Sequence, residues 1–275
     1  MKQTIRAVLI VIFTVMLAVS GYFIVKNYLD ENEINNLYGD IAEKTESASD
    51  DAEESNTVKP EIKSESVEPV KEKPLLSEYA ELHEQNSDMV GWVCIEDTNI
   101  NYPVVQSKDD PDFYLKHDFN KKKSDYGCPY AQANCDVNEP SDNIMLYGHH
   151  MRNGTMFADL EKFESKRFWK KHKTFTFNTL TDKYKYEIVA VFKTVVYTDS
   201  PDAFRYYDFV TAKNPGEFTA YVQKCKELSL YDTGVYAEYG DKLITLSTCE
   251  YSNTNGRLVV VAKRLTAQTE SDSGQ

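Results

Sequence analysis

The chain opens with a long apolar run, and this run decides which part of the sequence can fold in water. Residues 7–25 are uncharged and mostly apolar, with Lys2 and Arg6 before them and acidic residues after them. As a helix rising ~1.5 Å per residue, the run is about as long as the hydrocarbon core of a bilayer is thick. The charge asymmetry predicts a cytoplasmic N-terminus over 1–6, a signal-anchor transmembrane helix over 7–25 and an extracellular remainder.

The same run has a second interpretation, a signal peptide that is cleaved after export. The small residues Ala-Val-Ser at 18–20 are typical of a cleavage site. The apolar stretch nevertheless continues past them to Val25, whereas the apolar region of a signal peptide usually has only about 7–15 residues. The sequence therefore favours the anchor.

Residues 26–74 separate the apolar run from the rest of the chain. Residues 27–38 could continue a helix, but 39–74 have no aromatic residue and are rich in Glu, Ser, Asp, Lys and Pro. Such a segment cannot bury enough apolar surface to offset the entropy of ordering it, and its charges favour an extended stalk. We predict an acidic extracellular linker over 26–74, with an interaction segment as the alternative, and a disordered tail over 267–275.

Residues 75–266 carry most of the aromatic side chains and are predicted to form one folded domain, since about 200 residues suffice for a buried core. Recurrent short apolar or alternating segments predict strands, and the formal net charge of -13 argues against a nucleic acid partner. The predicted strands are 90–95, 100–105, 143–147, 174–178, 184–192, 243–249 and one beginning at 257, and the predicted helices are 75–89, 155–163 and 215–228. The polar segment 107–138 is predicted as loop. Seven or eight short strands favour a mainly β fold with flanking helices, closed or nearly closed into a barrel.

A cysteine and an arginine stand at facing ends of the last two predicted strands. Cys249 ends one strand, Arg257 begins the next, and turn-forming residues lie between them. If the strands pair as a hairpin, the thiol and the guanidinium lie at the same end of the sheet. Nearby positive charge makes a thiol a better nucleophile, and an arginine can hold the oxyanion formed when a carbonyl is attacked.

A catalytic cysteine needs a proton-transfer partner, and histidine is the usual one. His149 and His150 directly follow a predicted strand and Gly148, where a glycine lets the chain turn sharply. One of the pair is therefore a candidate. The other three histidines lie in polar surroundings where a solvated role is the better interpretation: His83, His117 and His172.

The remaining cysteines show no metal-binding spacing, so no metal or other cofactor is predicted. Cys94 and Cys225 fall on predicted apolar faces and are interpreted as core residues. Cys128 and Cys135 are close in sequence, and an exported protein could oxidise them. Because a catalytic thiol must stay reduced in the same compartment, that disulfide stays an open alternative.

The order of residues in these motifs resembles that of the sortase family of Gram-positive cell-surface transpeptidases. The resemblance rests on Thr245-Leu-Ser-Thr-Cys249 followed by Arg257, with Tyr147-Gly-His149 upstream. Class B is closest, and it is similar in 91–93 (Gly-Trp-Val), 99–106 (Asn-Ile-Asn-Tyr-Pro-Val-Val-Gln), 147–151 (Tyr-Gly-His-His-Met) and 153–160 (Asn-Gly-Thr-Met-Phe-Ala-Asp-Leu). The likeness covers about residues 75–264 and implies an eight-stranded sortase-type β-barrel.

The resemblance also implies roles for individual residues. Cys249 matches the family's nucleophile, His149 its catalytic histidine and Arg257 its essential arginine. Three further positions match residues that line the substrate groove in class B members: Tyr147, Ser247 and Glu250. His150 has no catalytic counterpart.

The implied reaction has two steps and needs no cofactor. Cys249 attacks the Thr carbonyl of a C-terminal sorting motif in a secreted protein and forms a thioester. An amino group of a lipid-linked peptidoglycan precursor then attacks the thioester, and His149 moves the protons. Two other functions stay open: a cell-wall cysteine peptidase that hydrolyses its substrate, and a membrane-anchored binding module without chemistry.

Overall fold

The structure is a computed structural model that describes residues 2–54, 73–196 and 204–266. The chain divides into two compact units, Met1–Ser47 and Ala48–Gln275. The first unit consists of helix α1 as far as Ser47, and the second holds a β-barrel with its flanking helices.

Helix α1 spans Lys2–Glu54 and contains the whole predicted anchor. It is the one helix in the described part of the chain that is long and apolar enough to cross a membrane. The prediction of an extended stalk beginning at Gly39 is wrong as far as Glu54. Composition indicates how little surface a segment can bury. Residues 40–54 nevertheless lack proline and glycine and are rich in Ala and Glu, which favour a helix locally. The rest of the predicted linker, 55–72, and the tail, 267–275, lie outside the described residues.

Eight strands form the barrel, and the predicted fold class is confirmed. Their order around the closed sheet is β1-β2-β3-β4-β7-β8-β6-β5, and β5 pairs again with β1. The pairs β2/β3 and β4/β7 are parallel and the others are antiparallel. The strands are β1 Met89–Cys94, β2 Asn101–Val105, β3 Tyr130–Ala131, β4 Asn143–Tyr147, β5 Thr174–Thr179, β6 Lys185–Val195, β7 Leu243–Glu250 and β8 Gly256–Arg264.

Among the described residues, three further α-helices lie outside the sheet: α2 Ser77–Gln85, α3 Lys166–Lys171 and α4 Pro215–Leu228. The bounds predicted for α4 are confirmed. Asn214 caps its N-terminus by accepting a hydrogen bond from the Glu217 amide, and Pro215 occupies the first turn. Its apolar face, including Phe218 and Cys225, packs into the core against β6, β7 and β8.

The helix predicted over 75–89 is shorter, Ser77–Gln85, and Met89 belongs to β1. Two further predictions differ in the type of element. The segment predicted as a helix over 155–163 is a 3-10 helix over Ala158–Glu164, followed by α3. Met156 has a φ of 57°, a left-handed conformation that no α-helix allows, so the apolar spacing there marks burial against the barrel. The predicted loop 107–138 contains β3, whose two residues are too few to give an alternating pattern.

Candidate active site

The β7–β8 hairpin brings the predicted cysteine and arginine together. Cys249 and Arg257 are direct partners in the register of this antiparallel pair, so the hairpin prediction is confirmed. The Cys249 thiol is half-buried. The Arg257 guanidinium donates from Nη1 to the Gly256 carbonyl oxygen at 2.9 Å, which fixes its orientation at the start of β8.

The parallel β4–β7 pair delivers the histidine to the same end of the barrel. Tyr147 is the register partner of Ser247, and the chain then leaves the sheet at Gly148. The Gly148 amide donates to the Ser247 carbonyl at 3.2 Å, and Thr248 Oγ1 donates to the Gly148 carbonyl at 2.8 Å. These bonds hold the turn that carries His149.

Glycine at 148 serves close packing. A Cβ atom at this position would lie 2.5 Å from Cγ of Phe157, and the backbone has no positive φ there. The Phe157 amide donates to the His149 carbonyl at 2.8 Å. Position 148 therefore needs the smallest residue because the Phe157 ring lies against the backbone that carries His149.

His149 is partly exposed, and one of its ring nitrogens is anchored. Nε2 lies 2.8 Å from the carbonyl oxygen of Leu115, and a carbonyl only accepts, so Nε2 carries the hydrogen. In the neutral ring, Nδ1 then holds the lone pair that can take a proton. The anchor fixes the tautomer that a general base needs.

A cleft of about 320 Å³ opens where these elements meet. Five of the six residues predicted for the site line it: Tyr147, His149, Ser247, Cys249 and Arg257. The other lining residues come from the 111–115 segment, from β3 and the loop after it, from positions next to Tyr147 and Cys249, and from the chain after β6. They are Pro111, Asp112, Leu115, Tyr130, Gln132, Ala133, Gly148, Val196, Tyr206, Tyr207 and Thr248.

Hydrogen bonds fix the polar wall of this cleft. The hydroxyl groups of Tyr206 and Ser247 lie 2.7 Å apart, and Tyr147 donates to Gln132 Oε1 at 2.5 Å. Gln132 Nε2 in turn donates to the Tyr207 carbonyl at 3.1 Å. Sequence reasoning missed Gln132, Tyr206 and Tyr207. The tyrosine pair belongs to no predicted element, and only its aromatic character offered a signal.

Glu250 is the exception among the predicted residues, since it is not among the described residues that line the cleft. Successive residues of a strand face opposite sides, so Glu250 faces away from the side of Cys249. Its carboxylate accepts from Lys193 Nζ at 3.2 Å and from the Ser252 amide at 2.9 Å. Burial alone would raise the pKa of Glu250, but the hydrogen bonds from Ser252 and Lys193 outweigh it and lower the pKa below the ordinary value. Its position indicates a role in holding the β7–β8 turn.

The other histidines do not line the cleft within the described residues. His150 donates from Nδ1 to the Cys249 carbonyl, at 2.9 Å, and lies outside the cleft. The prediction that His172 is solvated is wrong: it is buried, with Nε2 2.8 Å from Asp97 Oδ2. The lysine-rich segment around His172 suggested exposure, but His172 follows helix α3 and is buried together with Trp169, three residues earlier, while the lysines between them are exposed.

The described residues, which include all five cysteines, contain no disulfide and no His/Cys/Asp/Glu group that could hold a metal ion. Cys128 and Cys135 are both buried but contact different elements, Cys128 near the Pro103 carbonyl and Cys135 near that of Asn143. Burial raises the pKa of Cys135 to about 11 and that of Cys225 to about 12. Their raised pKa values make these two thiols poor nucleophiles.

Comparison with known proteins gives consistent results. Residues 93–265 match the family model of the sortase domain. Sortase B of Listeria monocytogenes is 39% identical over 192 residues, covering 69% of this chain and 74% of that protein. Sortase B of Staphylococcus aureus is 29% identical over 255 residues, covering 92% of this chain and 93% of that protein.

Solved structures agree at the level of the fold. A Staphylococcus aureus sortase B–substrate complex superposes with a TM-score of 0.72 at 26% identity, covering 87% of this chain and 99% of the other. Sortase B from Bacillus anthracis, in complex with AAEK1, gives a TM-score of 0.70 at 28% identity, covering 87% and 99%.

Proposed function

The chain belongs to class B of the sortase family of cysteine transpeptidases, and from this premise we propose that Cys249 is its nucleophile, His149 its general acid and base, and Arg257 its oxyanion-stabilising residue. The proposal rests on the pairing of Cys249 with Arg257 in a cleft that His149 also lines. The structure of a Staphylococcus aureus sortase B–substrate complex, which this chain resembles, supports a substrate-binding role for this chain.

In the first step, Cys249 Sγ attacks the carbonyl carbon of a Thr in the C-terminal sorting motif of a secreted protein. The oxyanion that forms is stabilised by the Arg257 guanidinium. His149 takes the proton of the Cys249 thiol through Nδ1 and passes it to the leaving amine, the C–N bond breaks, and a thioester remains on Cys249.

In the second step, an amino group of a lipid-linked peptidoglycan precursor attacks the thioester. His149 accepts a proton from the attacking amine and returns it to the sulfur as the C–S bond breaks, so the Cys249 thiol is regenerated. The product is a secreted protein joined to the cell-wall precursor by a new amide bond. The apolar helix α1 supports a single-pass membrane location, with the N-terminus cytoplasmic and the barrel extracellular.

The test uses the full chain in detergent micelles, as wild type and as Cys249→Ala. Each is incubated with sorting-motif pentapeptides of varied sequence, with and without an amine acceptor, and the products are followed by mass spectrometry. We expect wild type to cleave after Thr, Cys249→Ala to be inactive, and the amine to convert the acid product to an amide. Cleavage that no acceptor diverts would replace the transferase with a hydrolase.

A further inference from the structure

Strand β7 extends three residues beyond the end of its neighbour β4. On the side of β4, the backbone at Cys249 therefore has no strand beside it. Strand β4 ends at Tyr147, paired with Ser247, while β7 continues to Glu250. The Ser247 carbonyl still finds a donor in the Gly148 amide, at 3.2 Å. Carbonyls two residues apart point to the same side of a strand, so the Cys249 carbonyl points to the side that β4 has left.

A side chain takes the place of the missing strand. His150 Nδ1 lies 2.9 Å from the Cys249 carbonyl oxygen. Because a carbonyl only accepts, Nδ1 carries the hydrogen and donates it. The imidazole thereby supplies the donor that a further residue of β4 would have supplied from its backbone.

Contacts on its other sides hold the His150 ring in this position. Its Nε2 lies 3.4 Å from Glu161 Oε2, and its side chain is only 16% exposed. The Tyr251 ring packs against it at a centroid distance of 5.1 Å, and the Tyr251 hydroxyl donates to the His150 carbonyl at 2.9 Å. The bridge between His150 and Met156 fixes the backbone. The position of the ring is thus fixed by contacts with Cys249, Glu161 and Tyr251.

We propose that His150 is a positioning residue for the nucleophile: its Nδ1–H bond to the Cys249 carbonyl holds the end of β7 so that the thiol meets the substrate carbonyl in line with Arg257. The proposal rests on the proposed function of Cys249. It assigns distinct tasks to the adjacent histidines, since His149 lines the cleft and moves protons while His150 acts through the backbone behind Cys249. Small misplacements of reacting groups can lower a rate by about 10²-fold, so this bond bears on kcat.

Three variants of the full chain separate this role from a general loss of packing. His150→Phe keeps the ring volume and removes the donor. His150→Asn replaces Nδ1–H with an amide N–H at a similar position and should restore the bond. His172→Phe is the matched control, because His172 also contacts a carbonyl through Nδ1 (Phe168, 3.1 Å) and a carboxylate through Nε2, yet does not line the cleft.

Two measurements are made on each variant: kcat and KM for sorting-peptide cleavage, and hydrogen exchange of the amides in 248–258. For His150→Phe we expect a fall in kcat of about tenfold or more with KM changed by less than about twofold, and about tenfold faster exchange at the β7–β8 end. His150→Asn should recover both to within about threefold of wild type. His172→Phe should lower the melting temperature and leave kcat and this exchange unchanged.

A kcat for His150→Phe within about twofold of wild type would overturn the proposal. So would an equal loss in His150→Asn and His150→Phe, because the restored donor would then be irrelevant. If wild type cleaves no sorting peptide, the proposed function fails, but the exchange comparison still decides whether His150 holds the end of β7.

Discussion

Arg257 can act on a reacting carbonyl only if its guanidinium keeps a fixed orientation beside Cys249. Its register position and its bond to the Gly256 carbonyl provide that. The substitution Arg257→Lys replaces the planar guanidinium with a flexible ammonium. The positive charge is kept, but the fixed orientation of the N–H donors is lost. We expect kcat for peptide cleavage to fall by about 10²–10³-fold, the range found when an oxyanion donor is lost.

Steady-state kinetics on the peptide checks this expectation. The matched control is Arg264→Lys, the same substitution at the other end of β8, where the guanidinium stacks on Tyr184. A kcat for Arg257→Lys close to that of the control would show that charge alone suffices.

Glu250 gives a prediction that concerns stability and pH. Its pKa is lowered in the folded state, so the ionised carboxylate favours folding. The contribution is present above the ordinary pKa of 4.5 and is lost as the pH falls through the lowered folded value. We expect Glu250→Gln to be less stable by up to about 1 kcal/mol at pH 7, given the partial exposure of Lys193, and the difference to shrink towards pH 3.

Urea unfolding of wild type and Glu250→Gln at several pH values measures this difference, with the exposed Glu238→Gln as control. A difference that persists unchanged at pH 3 would mean that shape, and not charge, holds the turn.

The site residues that the sequence predicted share one property, which is that they belong to local motifs. Cys249 and Arg257 are eight residues apart in a hairpin, and His149 lies two residues after β4, the strand that pairs with β7. Gln132 and Tyr206 could not be predicted, because they reach the cleft through strand β3 and through an irregular segment. Glu250 does not line this cleft although Cys249, its neighbour in sequence, does, because successive residues of a strand face opposite sides.

At the scale of elements, the turn after β4 depends on the contact between Gly148 and Phe157. A methyl group at 148 would require the Phe157 ring to move, and the Phe157 amide is bonded to the His149 carbonyl. We expect Gly148→Ala to lower stability by about 1–3 kcal/mol, as overpacking does, and to lower kcat because His149 shifts with the turn.

The double variant Gly148→Ala/Phe157→Leu tests the cause, since a smaller side chain at 157 makes room for the added methyl. Thermal unfolding and peptide kinetics should show partial recovery of both quantities relative to Gly148→Ala. No recovery would point to backbone conformation at 148 in place of packing.

At the scale of the whole molecule, the sequence predicted the fold class and the strand number but not how the barrel closes. Closure depends on the parallel pairs β2/β3 and β4/β7 and on the return of β5 to β1, contacts that join distant parts of the chain. Periodicity reports which face of a strand is buried and carries no information about its partner. The extent of α1 was missed for a related reason, because composition was used to judge a segment whose local propensity is helical.

The apolar part of α1 leads to a prediction about topology. Lys2 and Arg6 before the run should keep the N-terminus in the cytoplasm, so the barrel should lie on the outer face of the membrane. In bacteria expressing the full chain, with the wall removed, added protease should digest the barrel while a cytoplasmic marker survives.

The barrel should fractionate with membranes and be released when residues 7–25 are deleted. Lys2→Glu/Arg6→Glu should reduce the digested fraction, because the charge bias that orients the helix is gone. A soluble product whose first residue follows Ser20 would instead identify the run as a cleaved signal peptide.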